Sequence, residues 1–509
     1  MKTRTTFFLL LLLAVAFPIK AIAEQPVLQF VVSMPDPASH RFQTEFKVSG
    51  IQGDTVLLRM PKWMPGYYQL MDYASNVQNL KVSGEDGKSV LALKTDGNSW
   101  KVVAHNRAFT VKYEVSAEQN FVARSFLDST HAYIVPANNF LYIDGRLDLP
   151  VTVEIKPNAL WKNTATGLDL VSANVYSAKN YDILYDCPLL IGNLDELPSF
   201  EVKGIKHHFI GYEMGSFDGA MMMRNMKKFV VAASDMLGEV PYQNYTFIGI
   251  GNGRGGIEHL NNTTVSFNGS RLKSEAAIND MILYLGHEYF HNFNVKRIRP
   301  FELGPFDYNK ENRTTQLWIS EGLTMYYQYV LAKRAGLMDE NTYLKCFEGH
   351  INSVQNNPAR LVQSMNQSSF GTWEDGPFTK PGLTISYYEK GPVVGLMMDL
   401  AIRRATQGKK SLDDVMRFIY DTYYKKLQRG FTDAEFQQAC ETVAGVPLTK
   451  EFEYVNTTKE FKYADYLNYI GLELVEEAAP GKKAVQFSLR RSATIDAAQL
   501  AALKAWMSE

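Results

Sequence analysis

The stretch Met281-Ile282-Leu283-Tyr284-Leu285-Gly286-His287-Glu288-Tyr289-Phe290-His291 decides the reading of this chain. On a helix, residues four apart stand one above the other on the same face. His287 and His291 therefore present two imidazoles that one metal ion can accept, and Glu288 is placed to take a proton from the water the metal activates. Zinc lowers the pKa of such a water to about 7, which suits neutral conditions. With nine histidines in the chain, chance supplies roughly 0.01 such pentapeptides. The alternative is a pair of ordinary core histidines. Met281, Ile282, Leu285, Tyr289 and Phe290 predict a buried helix, and two unpartnered histidines with a glutamate would be costly there.

A catalytic zinc keeps three protein ligands and one open position. Where the third ligand is a histidine in His-Glu-x-x-His-x-x-Gly-x-x-His, the last two fixed positions here are Asn294 and Arg297, so that class is excluded. The other class takes a glutamate from a following helix. Glu302, Glu311 and Glu321 are the candidates. Only Glu321 lies in an aromatic, helical stretch, 317–327, where a carboxylate needs a partner. Glu302 and Glu311 fall in Pro-, Gly- and Asn-rich loop and read as solvated. The expected site is one zinc ion on His287, His291 and Glu321, with Glu288 as general base. The same ligands would accept cobalt or manganese.

Outward from this core, the N-terminus carries Lys2 and Arg4, an apolar run over 7–17, and Ala21-Ile22-Ala23. That pattern is a secretory signal peptide cut after Ala23. The run of 11 residues is short of the roughly 20 that span a bilayer. No later stretch resembles a membrane helix, so the mature chain is expected to be exported, with no stable membrane insertion. The net charge of -1 supplies no global field for nucleic acid. Cys187, Cys346 and Cys440 fit no zinc knuckle and read as small apolar residues.

Residues 24–200 read as an all-β, sandwich-like domain. Short runs such as 46–48, 55–60 and 151–155 are rich in β-branched or apolar residues and bounded by turn formers. Residues 110–115 alternate with period two. Residues 201–445 are α-rich with a few strands. The patterns predict helices over 220–238, 274–295, 314–335, 389–406, 411–426 and 432–444, with a strand over 245–250 and a glycine loop over 251–256. Gly336 stands where a helix C-terminus wants glycine. Residues 446–509 form a short mixed region ending in a helix over 497–507. Lys296, Arg297 and Arg299 are expected to pair with acids such as Glu302 and Asp307.

Several motifs taken together resemble the glycyl aminopeptidase family of zinc metallopeptidases. They are Pro61-Lys62-Trp63-Met64-Pro65-Gly66-Tyr67, Gly255-Gly256-Ile257-Glu258-His259, residues 287–300, Gly304-Pro305-Phe306-Asp307-Tyr308, residues 318–327, and Ser386-Tyr387-Tyr388-Glu389-Lys390-Gly391. The resemblance implies a thermolysin-like α+β catalytic domain and a peptide substrate. It implies that Glu258, with Gly256 and Ile257 of the same segment, receives the substrate's free α-amine, and that Tyr388 steadies the oxyanion, with Tyr387 as the alternative. It implies an aminopeptidase that removes small residues such as Gly or Ala, and favours a bacterial periplasm over the medium. The chain departs from the family after 471–474. Only about 20 residues stand where a PDZ domain of roughly 80–90 is expected, so that domain is read as missing or reduced. A zinc endopeptidase on the same scaffold, and a non-catalytic secreted peptide-binding protein, are the competing readings.

Overall fold

The computed structural model describes residues 26–478 and 484–508. The signal-peptide reading of residues 1–23 falls outside them.

Residues up to Gly192 build three sheets around one apolar core. The largest has seven strands, in the order Asp169–Ser172, Val175–Ala178, Val151–Lys156, Val27–Ser33, Arg41–Ser49, Phe109–Ser116 and Val77–Gly84. Val27–Ser33 runs parallel to Val151–Lys156 and antiparallel to Arg41–Ser49. The alternation read over 110–115 is realised: Phe109, Val111, Tyr113 and Val115 are buried, with Thr110 and Lys112 turned outward. A period of two sends alternate side chains to opposite faces. A five-stranded and a four-stranded sheet close the core, where Phe30 stacks on Phe46 at 4.2 Å.

A second core begins near Phe200 and runs to the C-terminus. Its mixed sheet carries Ile205–Gly211, Asn244–Gly249 and Asn262–Val265, with the three-residue strand Gly256–Glu258 at the edge. The helices Gly219–Leu237 and Glu275–Phe290 pack against it, and Leu323–Arg334, Glu340–Gln355 and Tyr387–Ala405 pack on that helical layer and on one another. Cys187 and Cys440 are buried and Cys346 half-buried, all as free thiols. No described helix is long and apolar enough to cross a membrane.

Several expected boundaries move. The helix read over 274–295 is capped by the Ser274 hydroxyl and ends at Phe290. Beyond it the chain turns tightly. Asn292 donates to the Tyr289 carbonyl, and Asn294 donates across to Ile319, Ser320 and Thr324. Asparagine side chains offer the backbone an alternative to helical bonding, and here they take it. The helix read from 314 opens only at Trp318, in a π turn over Trp318–Gly322, and continues as Leu323–Arg334. Gly336 does adopt φ +68° after it. Glu340–Gln355 is an addition: Asp339 caps it, and Tyr343, Leu344, Phe347, Ile351 and Val354 form its buried stripe. The glycine segment is also less of a loop than expected, since Gly256 already belongs to the edge strand.

The tail is held by packing. A hairpin of Leu472–Ala478 and Val485–Arg491 is followed by the helix Ala497–Ser508. Trp506 of that helix lies 4.8 Å from the ring of Tyr343 and 5.7 Å from that of Phe347.

One contact fixes how the central helices cross. A Cβ on Gly391 would stand 2.4 Å from the Cα of Gly322, and one on Gly322 would stand 2.6 Å from the Cα of Gly391. Only two glycines allow this approach. Gly391→Ala is therefore expected to cost about 1–3 kcal/mol, the range for overpacking a tight core. Gly349→Ala, at an exposed helical site with open space, is expected to add about 0.5–1 kcal/mol. Denaturant unfolding of the two variants checks the contrast, and equal effects would remove the crossing argument.

Candidate active site

His287 and His291 project from the C-terminal end of the helix Glu275–Phe290, and Glu321 from the π turn that leads into Leu323–Arg334. π turns inside helices recur at functional sites because they reorient a side chain without ending the helix. All three residues are buried. His291 Nε2 lies 3.1 Å from His287 Nε2. Glu321 Oε2 lies 3.1 Å from His291 Nε2 and 3.5 Å from His287 Nε2. Among the described residues this is the one set of three or more such groups close enough to share a metal ion.

The donor set fits zinc. Three nitrogen or oxygen ligands bonded tetrahedrally at about 2.0–2.1 Å stand roughly 3.3 Å apart, which is the spacing these atoms have. The hydrogen bonding fits too. His291 Nδ1 lies 2.6 Å from the Asn294 carbonyl. That bond places the proton on Nδ1 and leaves Nε2 with a lone pair toward the site. Glu321 Oε2 is buried with no ordinary hydrogen-bond donor. With the protein groups alone, burial opposes the Glu321 charge, yet the His291 and His287 imidazoles hold its pKa well below the usual carboxylate range. Burial likewise works against the His291 imidazolium, while Glu321 above all pushes its pKa up to about 9.

Glu288 occupies the same helical turn. Burial raises its pKa to about 8, with Glu258 and Glu321 adding to the shift and His291 and Lys296 opposing it. The edge strand passes close by. A Cβ on Gly256 would stand 2.5 Å from Tyr284 Oη and 2.7 Å from Glu288 Oε1. Glu258 is on the same face two residues on, while Ile257 turns its side chain into the core of the β domain. Glu258 is buried, and its Oε1 has no hydrogen-bond partner. Its other oxygen is crowded by the Pro-Gly turn of the first domain: a Cβ on Gly66 (φ +89°) would stand 2.7 Å from Glu258 Oε2.

The two tyrosines separate. Tyr387 is fully buried, and its hydroxyl pairs with Thr372 Oγ1 at 2.9 Å. Tyr388 lies with its ring 6.0 Å from that of His287. Burial raises its pKa well above the ordinary value, and Glu321 raises it further. Of the pair, Tyr388 faces the site.

The expected partners of the basic run are corrected. Lys296 Nζ lies 2.8 Å from Asp186 Oδ1 and 4.0 Å from Glu258 Oε1. Arg297 donates to the carbonyls of Leu260, Asn292 and Pro241 rather than to an acid. Arg299 lies against Gly304, with Asp182 the acid that acts on it. Glu302 instead accepts from Thr314, and Asp307 pairs with Lys310. The physical reason is burial. The segment after His291 folds inward beneath the β domain, so its lysine reaches a carboxylate far away in sequence. Sequence reasoning missed Asp186, and it missed Tyr68, a buried phenol whose pKa burial, Glu321 and Glu258 all raise. Tyr68 had a signal, adjoining the Pro-Gly-Tyr turn; Asp186 had none.

Comparison with known proteins identifies the family and the fold. Residues 29–193 match the Peptidase M61 N-terminal domain and residues 280–394 match the M61 glycyl aminopeptidase domain, which together span more than half of the chain. An aminopeptidase N family protein from Idiomarina loihiensis superposes with a TM-score of 0.85 at 26% identity, over 90% of this chain and 81% of that one. An M1 zinc metallopeptidase from Deinococcus radiodurans shares the fold, with a TM-score of 0.53 at 13% identity over 86% and 95% of the two chains. Legionella pneumophila aminopeptidase A, solved with aspartic acid, has a TM-score of 0.53 at 12% identity, over 92% of this chain and 52% of its own. No curated protein matches. The buried His-His-Glu set, the two-part match and the shared architecture carry one conclusion: the chain belongs to the M61 glycyl aminopeptidase family and is a zinc aminopeptidase.

Proposed function

We propose that the protein is an exported aminopeptidase that releases small N-terminal residues, glycine or alanine, from peptides. The observation that carries this reading is the buried Glu258 with an unpartnered oxygen, two residues along an edge strand from the point where that strand meets Glu288. A carboxylate in that position takes an ammonium by charge-assisted hydrogen bonds. An amine held there limits how far the peptide enters. Export is read from residues 1–23.

His287, His291 and Glu321 would hold one zinc ion, which supplies Lewis acidity for the attacking water and the scissile carbonyl. Glu288 accepts a proton from that water at its carboxylate and returns it to the leaving amine. Its raised proton affinity suits a group that must both take and give a proton near neutrality. Tyr388 donates from its hydroxyl to the carbonyl oxygen as negative charge develops there. Asn294, through its carbonyl on His291 Nδ1, keeps that imidazole aimed. The preference for small residues comes from the family resemblance, and the aromatic surroundings, Tyr68 and Tyr388, are consistent with a narrow site.

Free and N-blocked Gly, Ala and Leu peptides, with and without chelator, test the reading. Release is expected from free-amine substrates, lost on chelation and restored by zinc. Glu288→Gln is expected to lower kcat by about 10²–10⁴-fold, the usual worth of general acid–base catalysis, with zinc content unchanged. Hydrolysis of blocked peptides would instead favour an endopeptidase. Silence on every substrate would favour a binding protein.

Tyr388→Phe is expected to lower kcat by about 10²-fold, as loss of one oxyanion donor does, while Tyr387→Phe leaves it within a few-fold. The reverse ranking would move the role to Tyr387.

A further inference from the structure

Lys296 is half-buried, with its side chain only 8% exposed, and stands beside the candidate amine site, yet the reaction outlined above gives it no part. Its ammonium bonds to Asp186 Oδ1 at 2.8 Å and stops 4.0 Å short of Glu258 Oε1. Asp186 comes from the β domain, just past the short helix Tyr181–Tyr185. It also accepts from the Leu260 amide at 2.6 Å and pairs with His259 Nδ1 at 3.1 Å. One carboxylate therefore grips both the lysine and the two residues that follow Glu258. Burial opposes the charges on Lys296 and Asp186, but each holds the other ionised: Asp186 raises the lysine's pKa, and Lys296 lowers that of Asp186.

We propose that Lys296, held back by Asp186, is a positioning residue for Glu258: together they fix the segment that carries that carboxylate and keep it aimed, while leaving its free oxygen open to the substrate's ammonium. The proposal rests on the reading of Glu258 as the amine site. Two features of the geometry support it. A lysine in direct contact with Glu258 would occupy the place of the substrate amine, and the shorter bond to Asp186 prevents this. A lysine absent altogether would leave Asp186 without its 2.8 Å partner and loosen the carboxylate that holds His259 and Leu260, the two residues that follow Glu258. Both failures weaken amine binding more than chemistry. Lys296 thus acts on KM through Glu258, without touching the scissile bond.

Steady-state kinetics on a free-amine glycyl or alanyl substrate, with the full-length enzyme loaded with zinc, test this. Lys296→Met is expected to raise KM by about tenfold or more while kcat stays within about fivefold, and Lys296→Arg is expected to recover most of the loss, because charge is what matters. Asp186→Asn, which keeps shape and weakens the grip, is expected to raise KM as well by letting the ammonium move onto Glu258. It decides the matter if Lys296→Met does not fold. Wild-type KM in both Lys296→Met and Asp186→Asn, a loss confined to kcat, or no recovery with arginine would overturn the proposal. Glu258→Gln separates the two levels. A raised KM in Glu258→Gln with none in the Lys296 and Asp186 variants sinks the positioning role alone. An unchanged KM in Glu258→Gln sinks the amine-site reading and this proposal with it.

Discussion

The approach of Gly322 to Gly391 is the constraint on which the site depends. Two helices that meet through backbone alone come closer than any side-chain packing allows. Glu321 directly precedes one glycine, and Tyr388 lies one helical turn before the other. Fixing the glycines against each other therefore fixes a metal-ligating carboxylate against a phenol. The π turn adds the remaining rotation, swinging Glu321 toward the imidazoles of a third helix. That helix has a close contact of its own: a Cβ on Gly286, the residue before His287, would stand 2.6 Å from the ring of Phe229. Glycines next to functional residues recur because the backbone, rather than the side chain, must be brought to a set distance.

Charge is the second constraint. The interior between the two domains collects Asp186, Glu258, Glu288 and Glu321, with Lys296 and two imidazoles to offset them. Leaving one such ion unpaired in a buried place costs several kcal/mol. The arrangement is tolerable because charges are answered locally. Glu321 is answered by the imidazoles and the cation they would share, and Asp186 by Lys296 and by amide and imidazole donors. Glu258 and Glu288 are the least satisfied. On the proposed function, a substrate ammonium at the first and a transferred proton at the second would supply what is missing, and the ligand would complete an electrostatic balance that the protein leaves open.

The parts of this site carried by local periodicity were legible in the sequence. His287, Glu288 and His291 declare themselves by spacing, and Glu321 by the aromatic stretch around it, since a carboxylate there has to be partnered. The helix ends were less so. Asn292, by bonding back to the Tyr289 carbonyl, and Asn294, by bonding across to the next segment, stop the motif helix, and the pattern of apolar residues carries no trace of those bonds. Glu258 was harder still, because glycines around it signalled a loop where a three-residue edge strand forms. Short edge strands have too few residues for a period to register. The Lys296–Asp186 pair joins residues 110 apart in sequence; pairing by proximity in sequence pointed to Glu302 and Asp307, and tertiary burial overrode it.

The edge strand gives the exopeptidase reading a scale. Gly256 meets Glu288, and Glu258 stands two residues further along the same face. Two strand residues advance about 6.6 Å. Within a single amino acid the amine nitrogen and carbonyl carbon are about 2.5 Å apart, given bonds of about 1.5 Å on either side of Cα. A charge-assisted hydrogen bond adds about 2.8 Å, and the remainder is within the reach of a glutamate side chain. The interval from the proton acceptor to the amine acceptor thus suits one residue. A two-residue offset would carry the amine past Glu258, whose Oε2 is already covered by the turn at Gly66, where an added Cβ would stand 2.7 Å from it. Contact between the β domain and the edge strand, rather than the zinc ligands, would then be what separates removal of one residue from internal cleavage on this scaffold.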